Sequence, residues 1–344
     1  MFLLLLLAVT LVASIWGSAR LEVAAPPPPT ATSHGGTAKA NGDLALYSTI
    51  AGRVAAGENY YRVAAEELRA GNYPLKPFVA FRLPTLAVAT AWLGQPLMTA
   101  LQLALFAAMI GAWWVQLDGQ FANNGRRMSG AMLAAAGVAV AFSGRYVGLH
   151  EVWAGALIGL SLALHRHDRW AWSLGAAALA LAIRELALPY VLLIGGLALF
   201  RRSWREFSAV AAILVLFAAG LVWHALEVAK VVLPSDPPSP GWSAVGGWTG
   251  FLRTYYLAGP LRGLPPLAAA PLIVLAMFGW SSWKSATGLA ATLFYAGYGL
   301  AFMLFGRSNN FYWGLMVTPA FLIGLAFVPR ALSDLATALR RVRA

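Results

Sequence analysis

One set of polar residues stands out because its members lie in short turns between long apolar segments. The set consists of Asp43, Glu58, Lys76, Arg82, Arg145, His150, Glu151, Arg184, Glu185, Arg307, Asn309 and Asn310. Ionisable side chains at membrane depth are costly, and they usually face a cavity or a charged partner. The set therefore predicts a polar pocket that opens on one side of a membrane.

The chemistry of these side chains suggests what such a pocket would bind. A guanidinium group keeps its charge and donates hydrogen bonds in a planar fork, which suits a phosphate or a carboxylate. A carboxylate in the same pocket suits a ligand rich in hydroxyl groups, or serves as a general base. A lipid that carries both a phosphate and a sugar would satisfy both kinds of side chain.

Members of the set also have ordinary structural explanations, and the sequence leaves both kinds of explanation open. The structural roles are an N-cap for Asp43, snorkelling for Lys76 and Arg82, a helix cap for His150 and Glu151, an internal ion pair for Arg184 and Glu185, and a plain turn for residues 307–310. The sequence contains no HExxH, GxSxG or Walker A motif that would indicate a different chemistry.

The composition determines the expected fold class. Of the 344 residues, 60% are hydrophobic and 11% are charged, and the mean hydropathy is +0.67. A soluble domain carries about 25% charged residues, so an ordinary cytosolic enzyme, a disordered regulator and a nucleic-acid module are excluded. The long unbroken apolar runs also differ from the period-two alternation of a membrane β-barrel. We therefore expect an all-α polytopic membrane protein.

Cysteine content and charge narrow the function further. The chain has no cysteine, which excludes disulfides, thiolate metal sites and a cysteine nucleophile. The net charge of +12 comes from basic residues at the ends of apolar segments. Cytoplasmic loops of membrane proteins have this pattern, so the charge requires no nucleic-acid partner.

We expect a single domain with about ten transmembrane helices. Its parts are a first span over residues 1–17, an extracytoplasmic loop over 18–94, a helical bundle over 97–328 and a basic cytoplasmic tail over 329–344. Small residues after the first span resemble a signal-peptide cleavage site, but no basic residue precedes the span, which favours its retention. The spans expected after residue 94 are 97–117, 129–146, 151–165, 170–183, 186–200, 207–227, 266–283, 286–305 and 312–328.

The extracytoplasmic loop contains two amphipathic patterns and one ambiguous apolar segment. After a proline-rich stretch over residues 24–36, apolar residues recur at helical spacing over 43–57 and 60–68. This spacing predicts juxtamembrane helices that lie in the membrane interface. The apolar segment 78–94 is expected to be interfacial or re-entrant, because only then do the basic loops share the cytoplasmic side. A second outer loop, rich in proline and glycine, covers residues 228–265.

Four stretches carry a resemblance to a known superfamily. They are GDLALYSTIAGRVAAGENYY from residue 42, YPLKPFVAFRLPTL from residue 73, RELALPYVLL from residue 184 and GRSNNFYWGLMVTPAFLIGLAF from residue 306. Their order and sidedness resemble the integral-membrane glycosyltransferases of the GT-C superfamily, which use polyprenyl-phosphate sugars. The likeness lies in architecture over roughly residues 1–200, and none of the strings is a sharp motif.

The resemblance implies an activity and roles for individual residues. A polyprenyl-phosphate-linked sugar would be the donor, and an acceptor hydroxyl on a glycan, lipid or protein would attack it with inversion. Asp43 would be the general base, with Glu151 or Glu185 in reserve. Lys76, Arg82, Arg184 and Arg307 would stabilise the departing phosphate. The hydroxyls of the sugar would be bound by Tyr47, Asn309 and Asn310, and Arg145 and His150 would complete the substrate site.

One departure from the superfamily lies in the acidic residues of the first loop. Many members carry paired acidic residues in the first loop, whereas Asp43 stands alone here. A divalent cation such as Mg²⁺ or Mn²⁺ therefore lacks a paired-acid motif to hold it, and no cofactor is assigned.

The resemblance also implies a location, and a rival function stays open. We expect a bacterial cytoplasmic membrane protein with its site on the extracytoplasmic side and a role in cell-envelope polysaccharide biosynthesis. The alternative is a transporter or flippase for lipid-linked sugars or anionic lipids. Such a protein would use the same basic pocket, without a catalytic carboxylate.

Overall fold

The computed structural model describes residues 2–23, 42–121, 124–166, 169–241 and 244–343, and these are helical with no strand among them. The helices are α1 Phe2–Val23, α2 Gly42–Ala55, α3 Tyr60–Ala70, α4 Thr85–Gln116, α5 Asn124–Val138, α6 His150–Leu164, α7 Trp170–Ile183, α8 Leu188–Phe200, α9 Trp204–Val231, α10 Gly247–Ala258, α11 Pro266–Ser281, α12 Ala286–Leu304, α13 Thr318–Phe321 and α14 Gly324–Arg343. Short 3₁₀ segments lie at Phe78–Ala80, Ala139–Ala141, Glu185–Ala187, Pro260–Gly263 and Ser308–Met316.

The helix lengths fit a membrane protein. Within the described residues, three stretches are long and apolar enough to cross a bilayer, namely Phe78–Gln116, Trp204–Val231 and Ala286–Leu304. Five apolar helical stretches are shorter: Leu4–Ala19, His150–Leu164, Trp170–Ile183, Glu185–Phe200 and Pro266–Ser281. The all-helical fold is therefore confirmed, whereas the number of ten spans stays a prediction.

The first helix packs as part of the bundle. Helix α1 lies against α10 and α11, and its residues Ser14, Ser18 and Leu21 are buried. Gly17 faces Leu252 of α10, where a Cβ would lie 2.8 Å from the leucine side chain. The face of α1 that carries these residues therefore packs against the bundle.

The amphipathic patterns of the first loop form the two expected helices. Helices α2 and α3 bury one face each around Ile50, Val63 and Leu68, which form a separate small core with Val228 of α9. Asn59 caps α3, and its side chain accepts hydrogen bonds from the backbone N–H groups of residues 61 and 62. The proline-rich stretch 24–36 lies outside the described residues.

The segment over residues 78–94 is not a single straight helix. A short 3₁₀ turn is followed by Pro84 and then by α4, whose backbone leaves the helical region at Gly94 with φ 75° and ψ 155°. The part of α4 before Gly94 spans 85–93, which at 1.5 Å per residue is about 14 Å long. The interfacial or re-entrant placement of this segment stays a prediction.

The later half of the chain differs from the expected helix pattern at two places. The outer loop over 228–265 contains helix α10, and the expected span over 312–328 is broken into 3₁₀ turns, the four-residue α13 and the start of α14. The residues expected to form a basic tail continue α14, so the tail is helical to Arg343.

The broken segment is tolerated because it is buried in protein. Met316, Val317, Phe321 and Ile323 are almost fully buried. Glycines on the surrounding helices make room for its carbonyl groups, since a Cβ at Gly155 of α6 would overlap the Leu315 carbonyl. Irregular backbone at membrane depth requires protein around it, and small residues permit the close approach.

Candidate functional site

A cavity of about 1440 Å³ lies at one end of the bundle. Its walls come from α2 and α3, the segment over 73–82, the start of α6, the 184–189 turn, helix α12 and the turn over 307–313. We call this the cavity end. The opposite end carries Arg166, Arg201, Arg202, Arg205 and Lys284, and we call it the basic end.

The cavity brings together most of the residues that the sequence predicts for the site. Those that line it are Asp43, Tyr47, Arg82, Arg145, His150, Arg184, Glu185, Arg307 and Asn310. Glu151 is 1% exposed and does not line the cavity, but it contacts two of the lining arginines. The backbone of Asn309 belongs to the 3₁₀ segment, and its side chain lies outside the described part of the chain.

Lys76 is the predicted site residue that the structure places elsewhere. Its Nζ donates to the Pro234 carbonyl at 2.8 Å, and it does not line the cavity. The chain around it is fastened to the α9–α10 loop, since the Ser239 N–H donates to the Lys76 carbonyl at 2.6 Å and Leu75 N–H donates to that of Pro237. The sequence gives no sign of this pairing, because it joins segments about 160 residues apart.

An ion pair between half-buried Arg69 and buried Asp236 holds the same loop in place. Arg69 of α3 donates to both carboxylate oxygens of Asp236, each at 2.7 Å, and these bonds lower the pKa of Asp236 to about 2. Ser239, three residues further on, lines the cavity. The α9–α10 loop is therefore a fixed part of the cavity rim.

Asp43 lies in the first turn of α2, where the helix dipole favours a carboxylate. It is half-buried, and its Oδ1 accepts a hydrogen bond of 2.9 Å from the Tyr73 hydroxyl. This bond occupies one side of the carboxylate and orients it. The remaining lone pairs are available to a ligand in the cavity.

The other acidic residues of the first loop do not join Asp43. Glu58, Glu66 and Glu67 all bind Arg53, with N–O distances of 2.6, 2.6 and 2.9 Å, and none of them lines the cavity. Through these contacts Arg53, in the last turn of α2, links this helix to the second half of α3. Glu58, which the sequence places in the polar set, therefore has a structural partner.

A balanced charge cluster lies against the cavity at the start of α6. We call Arg82, Glu151, Arg184 and Glu185 the cavity cluster. Arg184 Nε lies 2.8 Å from Glu151 Oε1, without the alignment of a hydrogen bond, and Arg82 Nη2 lies 3.6 Å away. Arg184 also pairs with Glu185. Two arginines and two glutamates neutralise one another, and the predicted Arg184–Glu185 pair is present.

Tyr47 connects the cavity cluster to the open space. Its hydroxyl oxygen accepts a hydrogen bond of 3.1 Å from Arg82 Nε, so its own proton can be donated to a ligand. Burial raises the pKa of Tyr47 to about 12, which keeps the phenol protonated at neutral pH. The ring of His150 lies edge-on to that of Tyr47 at 5.1 Å, and neither imidazole nitrogen has a hydrogen-bond partner within the described chain.

Arg145 and Arg307 differ from the cluster arginines because neither forms an ion pair with any described residue. Arg307 Nε is buried without a hydrogen-bond partner. A buried unpaired donor is costly unless a ligand or water satisfies it. Arg145 is exposed, so this cost applies to Arg307. Both arginines lack a carboxylate partner among the described residues, a distinction that spacing in the sequence does not reveal.

Sequence reasoning missed the aromatic hydroxyls of the cavity. Tyr60, Tyr73, Tyr298 and Tyr312 line it together with Tyr47. The signal in the sequence was weak, because tyrosine is common at membrane interfaces and most such residues only anchor a helix.

The far wall of the cavity is apolar. Pro189 and Leu193 of α8 face Leu293 and Gly297 of α12, and Phe305 follows the end of α12. Leu293 is 42% exposed and Phe305 is 52% exposed, so the cavity reaches the outer surface of the bundle on this side. One ligand with a charged head and an apolar chain would match both walls.

Among the described residues, no three His, Asp or Glu side chains lie close enough together to hold a metal ion.

Comparisons with known proteins gave no match. No protein-family model, no curated protein and no solved structure matches the chain.

Proposed function

We propose that this chain is a membrane glycosyltransferase of the GT-C type that transfers a sugar from a polyprenyl-phosphate donor to an acceptor hydroxyl, with inversion. The observation that carries the proposal is the composition of the cavity of about 1440 Å³. It joins the carboxylate of Asp43, which the Tyr73 hydroxyl orients, two arginines without an ion-pair partner among the described residues, and an apolar wall that reaches the bundle surface.

The donor would lie along the polarity gradient of the cavity. Its prenyl chain would occupy the apolar wall between α8 and α12, and its phosphate would be held by Arg145 and Arg307. The cavity cluster is neutral by itself, so Arg82 and Arg184 would orient the sugar and its phosphate through hydrogen bonds. Tyr47, His150 and Asn310 offer the polar atoms for sugar hydroxyls.

Asp43 would act as the general base. Its carboxylate takes the proton of the acceptor hydroxyl while that oxygen forms a bond to the anomeric carbon. The bond from the anomeric carbon to the phosphate oxygen breaks, and the polyprenyl phosphate leaves with the electron pair. Arginines fixed near the leaving phosphate stabilise the charge that develops there, which is commonly the largest contribution to catalysis.

The transporter alternative is less well supported. A transport cycle requires access from both membrane faces, whereas no described residue of the basic end lines this cavity. We place the reaction on the extracytoplasmic face of a bacterial cytoplasmic membrane, in the synthesis of an envelope glycan, because the positive-inside rule puts the basic end in the cytoplasm.

The decisive experiment replaces the proposed base. Purified full-length chain is incubated with labelled polyprenyl-phosphate sugars and an acceptor extract, and label in product is measured. We expect Asp43→Asn to lower transfer by about 10²–10⁴-fold, the usual contribution of a general base, with donor binding retained. Asp118→Asn, an exposed residue at the basic end, is the matched control and should transfer normally.

Wild-type turnover in Asp43→Asn would remove Asp43 from the mechanism. Movement of the donor across a bilayer without any labelled product would favour the transporter instead.

A further inference from the structure

A narrow cleft lies behind the cavity, between α10 and the turn over 306–313. It is lined by Gly250, Arg253, Thr254, Phe302, Phe305, Gly306, Arg307, Asn310 and Trp313. A Cβ at Gly250 would lie 2.9 Å from the Phe302 carbonyl oxygen, so glycine allows α10 to approach the end of α12 closely. Arg253 of α10 and Arg307 of the turn both line this cleft.

The polar groups of the cleft are arranged for a negative charge. Two arginines line it, and none of its lining residues is an Asp or a Glu. Neither Arg253 nor Arg307 forms an ion pair with any described residue, and Arg307 Nε and Trp313 Nε1 are buried without hydrogen-bond partners. Unpaired buried donors of this kind are satisfied in proteins by a ligand or by water.

The size of the cleft limits the ligand. Its volume of about 10 Å³ holds one water-sized group. A single phosphate oxygen has that size, so the cleft would admit one oxygen while the rest of the anion stays at the mouth. Arginine donates five N–H groups, which lets Arg307 serve the cavity and the cleft together.

The surroundings of the cleft favour a lipid as the source of the phosphate. Phe305 is 52% exposed at the mouth, and Leu304 beside it is 43% exposed on the outer surface of the bundle. An acyl chain would lie against these side chains while its head group met the two arginines.

We infer that Arg253 and Arg307 form a second anion site, which binds the phosphate group of a membrane lipid other than the sugar donor. The site shares Phe305, Arg307 and Asn310 with the proposed donor cavity, whereas Arg253 lines the cleft and not the cavity. A loss of lipid binding in an Arg253 variant can therefore be measured whether or not the chain transfers sugar. An anionic lipid held there would lie directly beside the donor cavity.

The inference is tested by lipid binding rather than by activity. Full-length protein in detergent is analysed by native mass spectrometry with phosphatidylglycerol, with diacylglycerol, which lacks the phosphate, and with inorganic phosphate. We expect wild-type protein to retain phosphatidylglycerol in preference to diacylglycerol. Arg253→Gln should weaken this binding at least fivefold, whereas Arg262→Gln, an exposed arginine four residues after α10, should leave it unchanged.

The arms of the experiment separate the outcomes. Binding of inorganic phosphate that depends on Arg253, without retention of phosphatidylglycerol, would keep the anion site and change its source to a free anion. Unchanged binding of both ligands in Arg253→Gln would overturn the inference. A lower thermal midpoint in Arg253→Gln with unchanged lipid affinity would also overturn it, since Arg253 would then only neutralise the carbonyl groups at the end of α12.

Discussion

The two ends of helix α6 carry buried charges of the same kind but differ in what lies beside them. At its start, Glu151 is enclosed by Arg82 and Arg184 next to the large cavity. Just past its other end, His165 Nε2 lies 2.9 Å from Glu206 Oε1, and Arg201 approaches the same carboxylate at 3.2 Å. We call these three residues of the basic end the basic-end cluster.

The comparison shows that buried charge alone does not identify a site. The basic-end cluster joins the end of α6 to the start of α9, and none of its members lines the cavity. Its contacts explain its burial, because a buried carboxylate requires a nearby positive charge. At the cavity end the same type of pairing is followed by open space and by arginines without carboxylate partners. Arginines that lie beside a cavity without a carboxylate partner therefore indicate a binding site, whereas the ion pairs do not.

The largest expected effect is a difference in chemical labelling between the two ends of α6, because we expect these ends to lie on opposite membrane faces. Because the chain has no cysteine, single cysteines report their own location. Glu66 on α3 and Asp118 after α4 have side chains that are 46% and 68% exposed. In sealed cells, a membrane-impermeant maleimide should label Glu66→Cys completely and Asp118→Cys not at all.

Solubilised protein provides the control, because both cysteines should react in detergent. Labelling of both variants in sealed cells would place the two ends on one face. The assignment of the cavity to the extracytoplasmic side would then be wrong.

The next largest effect is expected for kcat, when the matched glutamates at the two ends, Glu151 and Glu206, are replaced. Glu151→Gln and Glu206→Gln each remove a buried carboxylate that contacts two basic side chains, and breaking a buried ion pair costs about 3–5 kcal/mol of folding free energy. Both variants should therefore have a lower thermal midpoint. Only Glu151→Gln should also lower kcat, by at least tenfold, because Arg82 and Arg184 would lose the contact that orients them toward the cavity.

For Glu206→Gln we expect a kcat within twofold of wild type in the fraction that stays folded. A similar loss of kcat in both variants would mean that Glu151 acts through stability alone, and the contrast between the two ends would disappear.

The sequence predicted the contents of the cavity better than its internal pairing. Residue type and sidedness were enough to bring Asp43, Arg82, Arg184 and Arg307 to one site, because charge near lipid must gather around a cavity. The apolar run over 170–183 predicted a helical span there, and helix α7 has the same bounds. These properties depend on short stretches of the chain.

The remaining features depend on contacts between distant segments. Lys76 lies outside the predicted site because its Nζ donates to the Pro234 carbonyl of the α9–α10 loop, some 160 residues away in the sequence. The expected span over 312–328 is broken because glycines on α6 and α11 admit its backbone, and hydropathy does not register such close approach. Helix α10 was missed because proline and glycine flank it on both sides.

The smallest effect concerns the hydroxyl that orients the proposed base. Tyr73→Phe removes the 2.9 Å hydrogen bond to Asp43 Oδ1 and leaves the ring in place. A hydrogen bond to a charged group contributes about 1.5–3 kcal/mol, and part of this loss should appear as a three- to thirtyfold lower kcat. The KM for the donor should stay unchanged, because Tyr73 positions the base and is not assigned to the donor.

Tyr60→Phe is the matched control for Tyr73→Phe. Tyr60 lines the same cavity, but its hydroxyl donates to the Arg82 carbonyl oxygen at 2.7 Å and does not contact Asp43. Its loss should lower stability by about 1 kcal/mol, a typical net value for one hydrogen bond, with little change in kcat. Equal kcat values for the two variants would indicate that Tyr73 supports the fold only, and that the proposed role of Asp43 does not depend on this hydrogen bond.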